Sequence, residues 1–299
     1  MKKSIAIFFI TAIAVLASSS WAMPSEPTIK ALPRIYYVTF QSLNSENPLT
    51  VAAQFRLPWR KGKMPAVVIV HDTEGVNGTG NYYAKALNNN GIATLEIDMW
   101  TPRGLMGLVG GRPKSVPETL PDAYGAFKYL SGRLEIDAQR IGIMGFSFGG
   151  VVSMLTATTF YTEKYLGHEL KFAAHVPFYP LCWLYNRVPG YEFKSFTGAP
   201  IFIQVGEKDV YDEPDTCSRL VQSLPEATQK LISIKLYPNA THEWNRLQPP
   251  VTYYDPTAYQ GKGGEVTPVP NPQATEESRL ITLQFFERVF GLSITPDIR

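Results

Sequence analysis

Residues 140–150 read Arg-Ile-Gly-Ile-Met-Gly-Phe-Ser-Phe-Gly-Gly, and this stretch limits the fold more than any other. Ile141 to Met144 is a short apolar run, the pattern of a parallel strand buried on both faces. Gly145 to Gly149 fits G-x-S-x-G, a strand-to-helix turn that lifts a serine hydroxyl clear of a sheet. A turn this tight strains the backbone of Ser147, and a side chain at 145 or 149 would strike the neighbouring strand or helix. Val151, Val152, Met154 and Leu155 then supply the apolar stripe of a helix. The Ser147 hydroxyl is therefore expected at a helix N-terminus, where free amides and the helix dipole favour a developing anion.

The rest of the chain agrees with a parallel sheet. Ile35 to Ser42 and Thr50 to Leu57 are β-rich runs around an Asn-containing turn, which predicts an antiparallel hairpin. Ala66 to Val70 is continuously apolar, as a doubly buried strand requires. A helix is expected around Tyr82 to Leu87 and a strand from Ile92 to Ile97. Residues 123, 126, 127 and 130 form a helical stripe within Asp122 to Leu130. Further strands are predicted at Phe172–Tyr179, Ile201–Val205 and Ile232–Tyr237, with a helix starting near Pro214. Thr275 is the candidate N-cap of a last helix that runs to about Phe290 and stops at Gly291. The expectation is one α/β domain, with about eight mostly parallel strands and helices on both faces. Residues 101–121 and 245–273 are long Gly- and Pro-bearing loops leaving the carboxyl ends of strands, the side on which open α/β sheets bind ligands.

The first 22 residues follow a different logic. Lys2 and Lys3 precede an apolar run from Ile5 to Ala17, and Ser20-Trp21-Ala22 offers small residues at the cleavage positions. Residues 1–22 are read as a signal peptide and 23–299 as the mature, exported domain, periplasmic or secreted. That run is too short to span a bilayer comfortably, so no stable membrane association is expected after cleavage. Without Lys2 and Lys3, basic and acidic residues balance at 26 each, which argues against a nucleic-acid or polybasic membrane partner. Cys182 and Cys217, an even pair in an exported chain, are a candidate disulfide; two separate buried thiols are the alternative. No cofactor and no metal enters this reading.

A serine hydroxyl needs a neighbouring base to become a nucleophile. On a strand-turn-helix of this kind the partners follow in the order serine, acid, histidine. Of the four histidines, His242 follows a late strand by a short turn and is the candidate base. His175 falls mid-strand and reads as core, and His168 reads as solvated. The acid is expected after the Ile201–Val205 strand; Asp209 is chosen, with Glu207, Asp212 and Asp215 as rivals. A tetrahedral intermediate needs two amide donors. Phe148, next to the serine, should supply one, and the loop after Ala66–Val70 the other, from Thr73 or failing that Asp72. His71 in that loop is expected to shape the hole.

These residues recur together. The sequence from Val68 to Asn77, Ile97-Asp98, Gly145 to Gly150, Phe178-Tyr179-Pro180, Gly206 to Asp209 and Thr241-His242-Glu243 resembles the dienelactone hydrolase family of α/β-hydrolases. The resemblance spans roughly residues 60 to 290. It implies Ser147, Asp209 and His242 as a catalytic triad, Phe148 and Thr73 as oxyanion donors, and no large cap domain. The family's namesake uses a cysteine tuned by an acid at the position of Asp72, and holds a substrate carboxylate with arginines. Here the nucleophile position is serine, which suits an ordinary ester, and Arg103 and Arg246 are the corresponding arginines. Trp100, Trp183, Trp244 and Tyr185 are expected near the pocket. The function so read is hydrolysis of a small-molecule carboxylic ester through an acyl-enzyme. A peptidase or amidase on the same residues, or a hydrolase-fold binding protein without turnover, are the competing readings.

Overall fold

A computed structural model describes residues 32–107 and 111–296; the expected signal segment lies outside them. Eight strands form one sheet: β1 (Arg34–Gln41), β2 (Thr50–Leu57), β3 (Met64–Val70), β4 (Ala93–Asp98), β5 (Ile136–Phe146), β6 (His175–Phe178), β7 (Ile201–Gly206) and β8 (Ile232–Tyr237). Their spatial order is β1-β2-β4-β3-β5-β6-β7-β8. The entry hairpin β1–β2 and the β2–β4 pair are antiparallel, and the other pairs are parallel. The helices are α1 (Gly78–Asn89), α2 (Leu120–Ser131), α3 (Phe148–Leu155), α4 (Thr159–Leu166), α5 (Thr216–Gln222), the single turns α6 (Glu226–Gln229) and α7 (Ala258–Gly261), and α8 (Pro272–Val289).

The reason β3 is apolar at every position is visible in its packing. Ala66, Val68 and Val70 join a core shared with α2 and α3, whereas Val67 and Ile69 join the opposite core shared with α1 and α8. Each buried valine or isoleucine contributes about 1.5–3 kcal/mol, so neither face of β3 tolerates a polar residue cheaply. The carboxyl ends of β3, β5, β7 and β8 then open toward one rim, from which the loops bearing His71, Ser147, Asp209 and His242 all leave.

Two expectations change and a third is met. Helix α8 is capped by Asn271, whose side chain accepts from Ala274 N at 3.1 Å, with Pro272 at the first position. Thr275 lies one turn inside, where its hydroxyl donates to Asn271 O at 2.8 Å. The long segment after His242 is not structureless: β9 (Tyr253–Asp255) and β10 (Gly264–Val266) pair antiparallel within it. The candidate cysteines do pair. Cys182 and Cys217 are disulfide-bonded, with Cα atoms 5.1 Å apart, joining the turn after β6 to α5.

Candidate active site

Ser147 sits at the β5–α3 junction with φ 48° and ψ −109°, a conformation that costs of order 1–3 kcal/mol in a non-glycine residue. Its surroundings enforce it. A Cβ on Gly145 would lie 2.1 Å from Gly149 O, and one on Gly149 would lie 2.3 Å from Val70 O. The chain therefore passes closer to itself and to β3 than any side chain allows. Ser147 N donates to Phe178 O at 3.0 Å, which ties the turn to β6.

His242, in the turn after β8, places Nε2 2.8 Å from Ser147 Oγ and Nδ1 2.7 Å from Asp209 Oδ2. The imidazole is 1% exposed. Rings close on it from two sides, Tyr211 at 4.2 Å and Tyr179 at 4.7 Å between centroids. The other oxygen of Asp209 accepts from Tyr211 N at 2.9 Å. The rival acids are occupied elsewhere. Glu207 accepts from Asn239 N at 2.8 Å, and Asp215 pairs with Arg219 at the surface. Asp212 accepts from the amides of Cys182 (2.5 Å) and Trp183 (3.0 Å). Burial, and then the nearby charge of Asp209, pushes Asp212 up to about 7.

The loop after β3 is held rigidly. Met99 N donates to His71 Nε2 at 3.0 Å, so the ring proton lies on Nδ1, which donates to Asp72 O at 2.7 Å. Burial lowers His71 to about 4, keeping the ring neutral in this arrangement. In a trans peptide the carbonyl and the next N–H point opposite ways, so His71 turns the Thr73 N–H away from itself. Trp100 Nε1 donates to Thr73 O at 3.1 Å, and its ring packs edge-on against Phe148 at 5.0 Å. Among the described residues, neither Thr73 N nor Phe148 N has an acceptor.

Ser147 opens into a cavity of about 330 Å³. Its walls are mainly apolar, including Val116, Val151, Leu181, Trp183, Leu184 and Val188. Of the four aromatics expected at the pocket, only Trp183 lines it. Trp244 is fully buried in the α1–α8 core, Tyr185 is buried with its hydroxyl on Pro180 O, and Trp100 backs the Thr73 loop. Tyr191 and Tyr211 line the cavity instead.

The arginines are also redistributed. Arg103 donates to Asp122 Oδ2 at 2.6 Å and to Met99 O at 2.8 Å, so it is spent on a buried carboxylate and a strand end. Arg246 bridges Glu243 Oε2 (3.0 Å) and Glu74 Oε1 (3.3 Å). Neither lines the cavity of Ser147, and neither does Asp72, whose oxygens accept from Glu74 N and Asn77 Nδ2. Burial and the neighbouring carboxylates Glu243 and Glu74 raise Asp72 well above the usual range. The cations that do line the cavity are Lys114 and Arg112, and Arg112 donates to Thr73 Oγ1 (3.2 Å) and Asp255 Oδ1 (3.0 Å). The sequence signal for Arg112 was weak: it stands in a Gly- and Pro-bearing loop whose course is set by contacts far along the chain.

The chain as a whole is similar to known proteins. The family model of the dienelactone hydrolase family matches residues 51–290. A Bradyrhizobium protein described as a probable 2-oxo-3-(5-oxofuran-2-ylidene)propanoate lactonase is 26% identical over 215 residues, covering 68% of this chain and 81% of its own. The dienelactone hydrolase-like promiscuous phosphotriesterase P91, from metagenomic libraries, superposes with a TM-score of 0.60 at 18% identity, over 87% of this chain and 100% of its own. Esterase 2 of Thermogutta terrifontis gives 0.60 at 14% identity, over 90% and 97%. At such identities the two structures speak for the fold. With the family model covering most of the sheet and every loop that reaches Ser147, the chain belongs to the dienelactone hydrolase family of α/β-hydrolases.

Proposed function

We propose that the protein is a serine hydrolase that cleaves a small-molecule carboxylic ester through an acyl-enzyme. The observation that carries this reading is the unbroken contact from Ser147 Oγ to His242 to Asp209, at 2.8 and 2.7 Å. His242 takes the Ser147 proton as the hydroxyl attacks the ester carbonyl. Asp209 fixes the ring tautomer and stabilises the imidazolium. The amides of Phe148 and Thr73 receive the oxyanion, the second aimed by His71. His242 then returns its proton to the departing alkoxide, and water, activated by the same ring, releases the acid.

The apolar cavity beside Ser147 suits an uncharged aliphatic or aromatic portion of the substrate. A lactone is an ester closed on itself and opens by the same steps, and the lactonase name of the Bradyrhizobium relative favours including it. An amide would need the same ring to protonate a poorer leaving group. Purified protein offered p-nitrophenyl esters of graded chain length, an unsaturated γ-lactone and the matching p-nitroanilides should turn over the esters, with the anilides slower by orders of magnitude. Equal rates on ester and anilide would make it an amidase, and no turnover of any would leave a binding protein.

Export belongs to the same proposal. The buried disulfide supports an oxidising compartment, and no described helix is long and apolar enough to cross a membrane. The mature protein is then expected to begin at Met23, which N-terminal sequencing of the exported form checks.

A further inference from the structure

The excursion between His242 and α8 is absent from the chemistry so far, yet it is bonded to the acid loop at several points. Tyr259 N donates to Val210 O at 2.8 Å and Gln260 N to Tyr211 O at 3.3 Å. Both donors hold left-handed backbone (φ 50° and 58°), so the turn is shaped to reach that loop at some cost in strain. At the end of β9, Asp255 is 1% exposed. One of its oxygens accepts from Tyr211 Oη at 3.0 Å. The other accepts from Arg112 at 3.0 Å and from Thr257 N and Oγ1 at 2.8 and 2.6 Å. Burial alone would raise this carboxyl, but the Thr257 hydrogen bonds and the Arg112 guanidinium outweigh it and hold it below its ordinary range.

One buried carboxylate thus joins three loops from three strand ends, and the phenol that donates to it is Tyr211, whose ring packs against His242. The Tyr211 ring packs tilted against the imidazole, 4.2 Å between centroids, and its amide donates to Asp209. We infer that Asp255 is a positioning residue: through the Tyr211 hydroxyl it fixes the ring that keeps His242 aligned between Asp209 and Ser147. The excursion is then a clasp that makes the alignment of the base depend on a segment outside the sheet. A ring free to turn would let the imidazole rock, which lowers turnover more than substrate binding, because misalignment is felt in the transition state.

This inference rests on the proposed reaction, and the test separates the two. Steady-state kinetics on the best p-nitrophenyl ester are measured for Tyr211→Phe, Asp255→Ala, Asp255→Asn and the double variant Tyr211→Phe/Asp255→Ala. Tyr211→Phe and Asp255→Ala should each lower kcat about tenfold with KM changed less than about threefold. The double variant should be no slower than Asp255→Ala alone, since Asp255→Ala already removes the carboxylate to which the Tyr211 hydroxyl donates. Asp255→Asn keeps a hydrogen bond to the Tyr211 hydroxyl, its NH2 donating to Oη while its oxygen accepts from Arg112 and Thr257, and should restore most of kcat. Unchanged kcat in Tyr211→Phe, multiplying effects in the double variant, or a rise in KM with kcat intact would overturn it. Should Asp255→Ala fail to fold, Tyr211→Phe and Asp255→Asn still decide the matter. A wild-type protein without turnover would instead defeat the proposed function.

Discussion

The turn that carries Ser147 and the loops that carry Asp209 and His242 are held by different kinds of force. At the turn the restraint is backbone against backbone: Gly145 and Gly149 leave no room for a Cβ, and Ser147 N is bonded to β6. Around Asp209 and His242 the restraint comes largely from side chains: the Tyr211 ring from the acid loop itself, Tyr179 from the end of β6 and, through the Tyr211 hydroxyl, Asp255 from β9. The first arrangement is written in eleven consecutive residues. The second exists only once distant segments meet. A change at the turn should therefore damage folding, and a change in the loops should damage chemistry while the fold survives.

The largest effect tests the loop half of that contrast. Asp209→Asn should lower kcat by about 10⁴-fold, because the amide favours the wrong imidazole tautomer, while the melting temperature stays near wild type. Asp212→Asn should fall far short of that loss, since Asp212 holds the amides of Cys182 and Trp183. If Asp212→Asn is the crippled variant, the acid has been misassigned. The turn half predicts the reverse pattern. Gly149→Ala forces a Cβ to 2.3 Å from Val70 O, backbone that cannot swing aside, so roughly 3 kcal/mol or more of stability should go. A Gly149→Ala protein with wild-type melting and turnover would remove the distinction between the regions.

The smallest effect concerns His71, which belongs to neither half alone. Its folded-state value of about 4 lies below the ordinary 6.5, so the unfolded chain takes the proton first. Its contribution to stability is therefore full above pH 6.5 and is lost as the pH falls toward 4. His71→Gln should melt lower than wild type at pH 7.5, because it disturbs the bonds to Asp72 O and Met99 N. That gap should narrow between pH 6.5 and 4, because the variant has no ring to ionise. Melting curves with a gap constant over this range would mean that His71 is not buried neutral.

The same contrast explains what the sequence disclosed. The order of strands, the Ser147 turn and the approach of His242 and Asp209 were legible because each follows from a local pattern and a strand-end rule. Arg112 was not. It and Arg103 share one loop, and only the tertiary placement of Asp122 beside Arg103 decides which guanidinium is left for the cavity. Asp255 was invisible for the same reason: Arg112 and Tyr211, the partners that tie it to the site, lie far away along the chain, and β9 is three residues long, too short for an alternating pattern. The cap of α8 was missed although its signal was present, in Asn271 followed directly by Pro272. Trp244 and Tyr185 look like pocket residues at strand ends, yet both were drawn into the core, which a bulky aromatic near a strand terminus serves equally well.

The central claim is that Ser147 is an activated nucleophile. The most direct test is intact-mass spectrometry of the mature protein after brief exposure to a fluorophosphonate, with Ser147→Ala treated alongside. The account predicts one added phosphonyl group on wild type, mapped by peptide digestion to Ser147, and none on Ser147→Ala. An unmodified wild type, or equal labelling of Ser147→Ala, would contradict it.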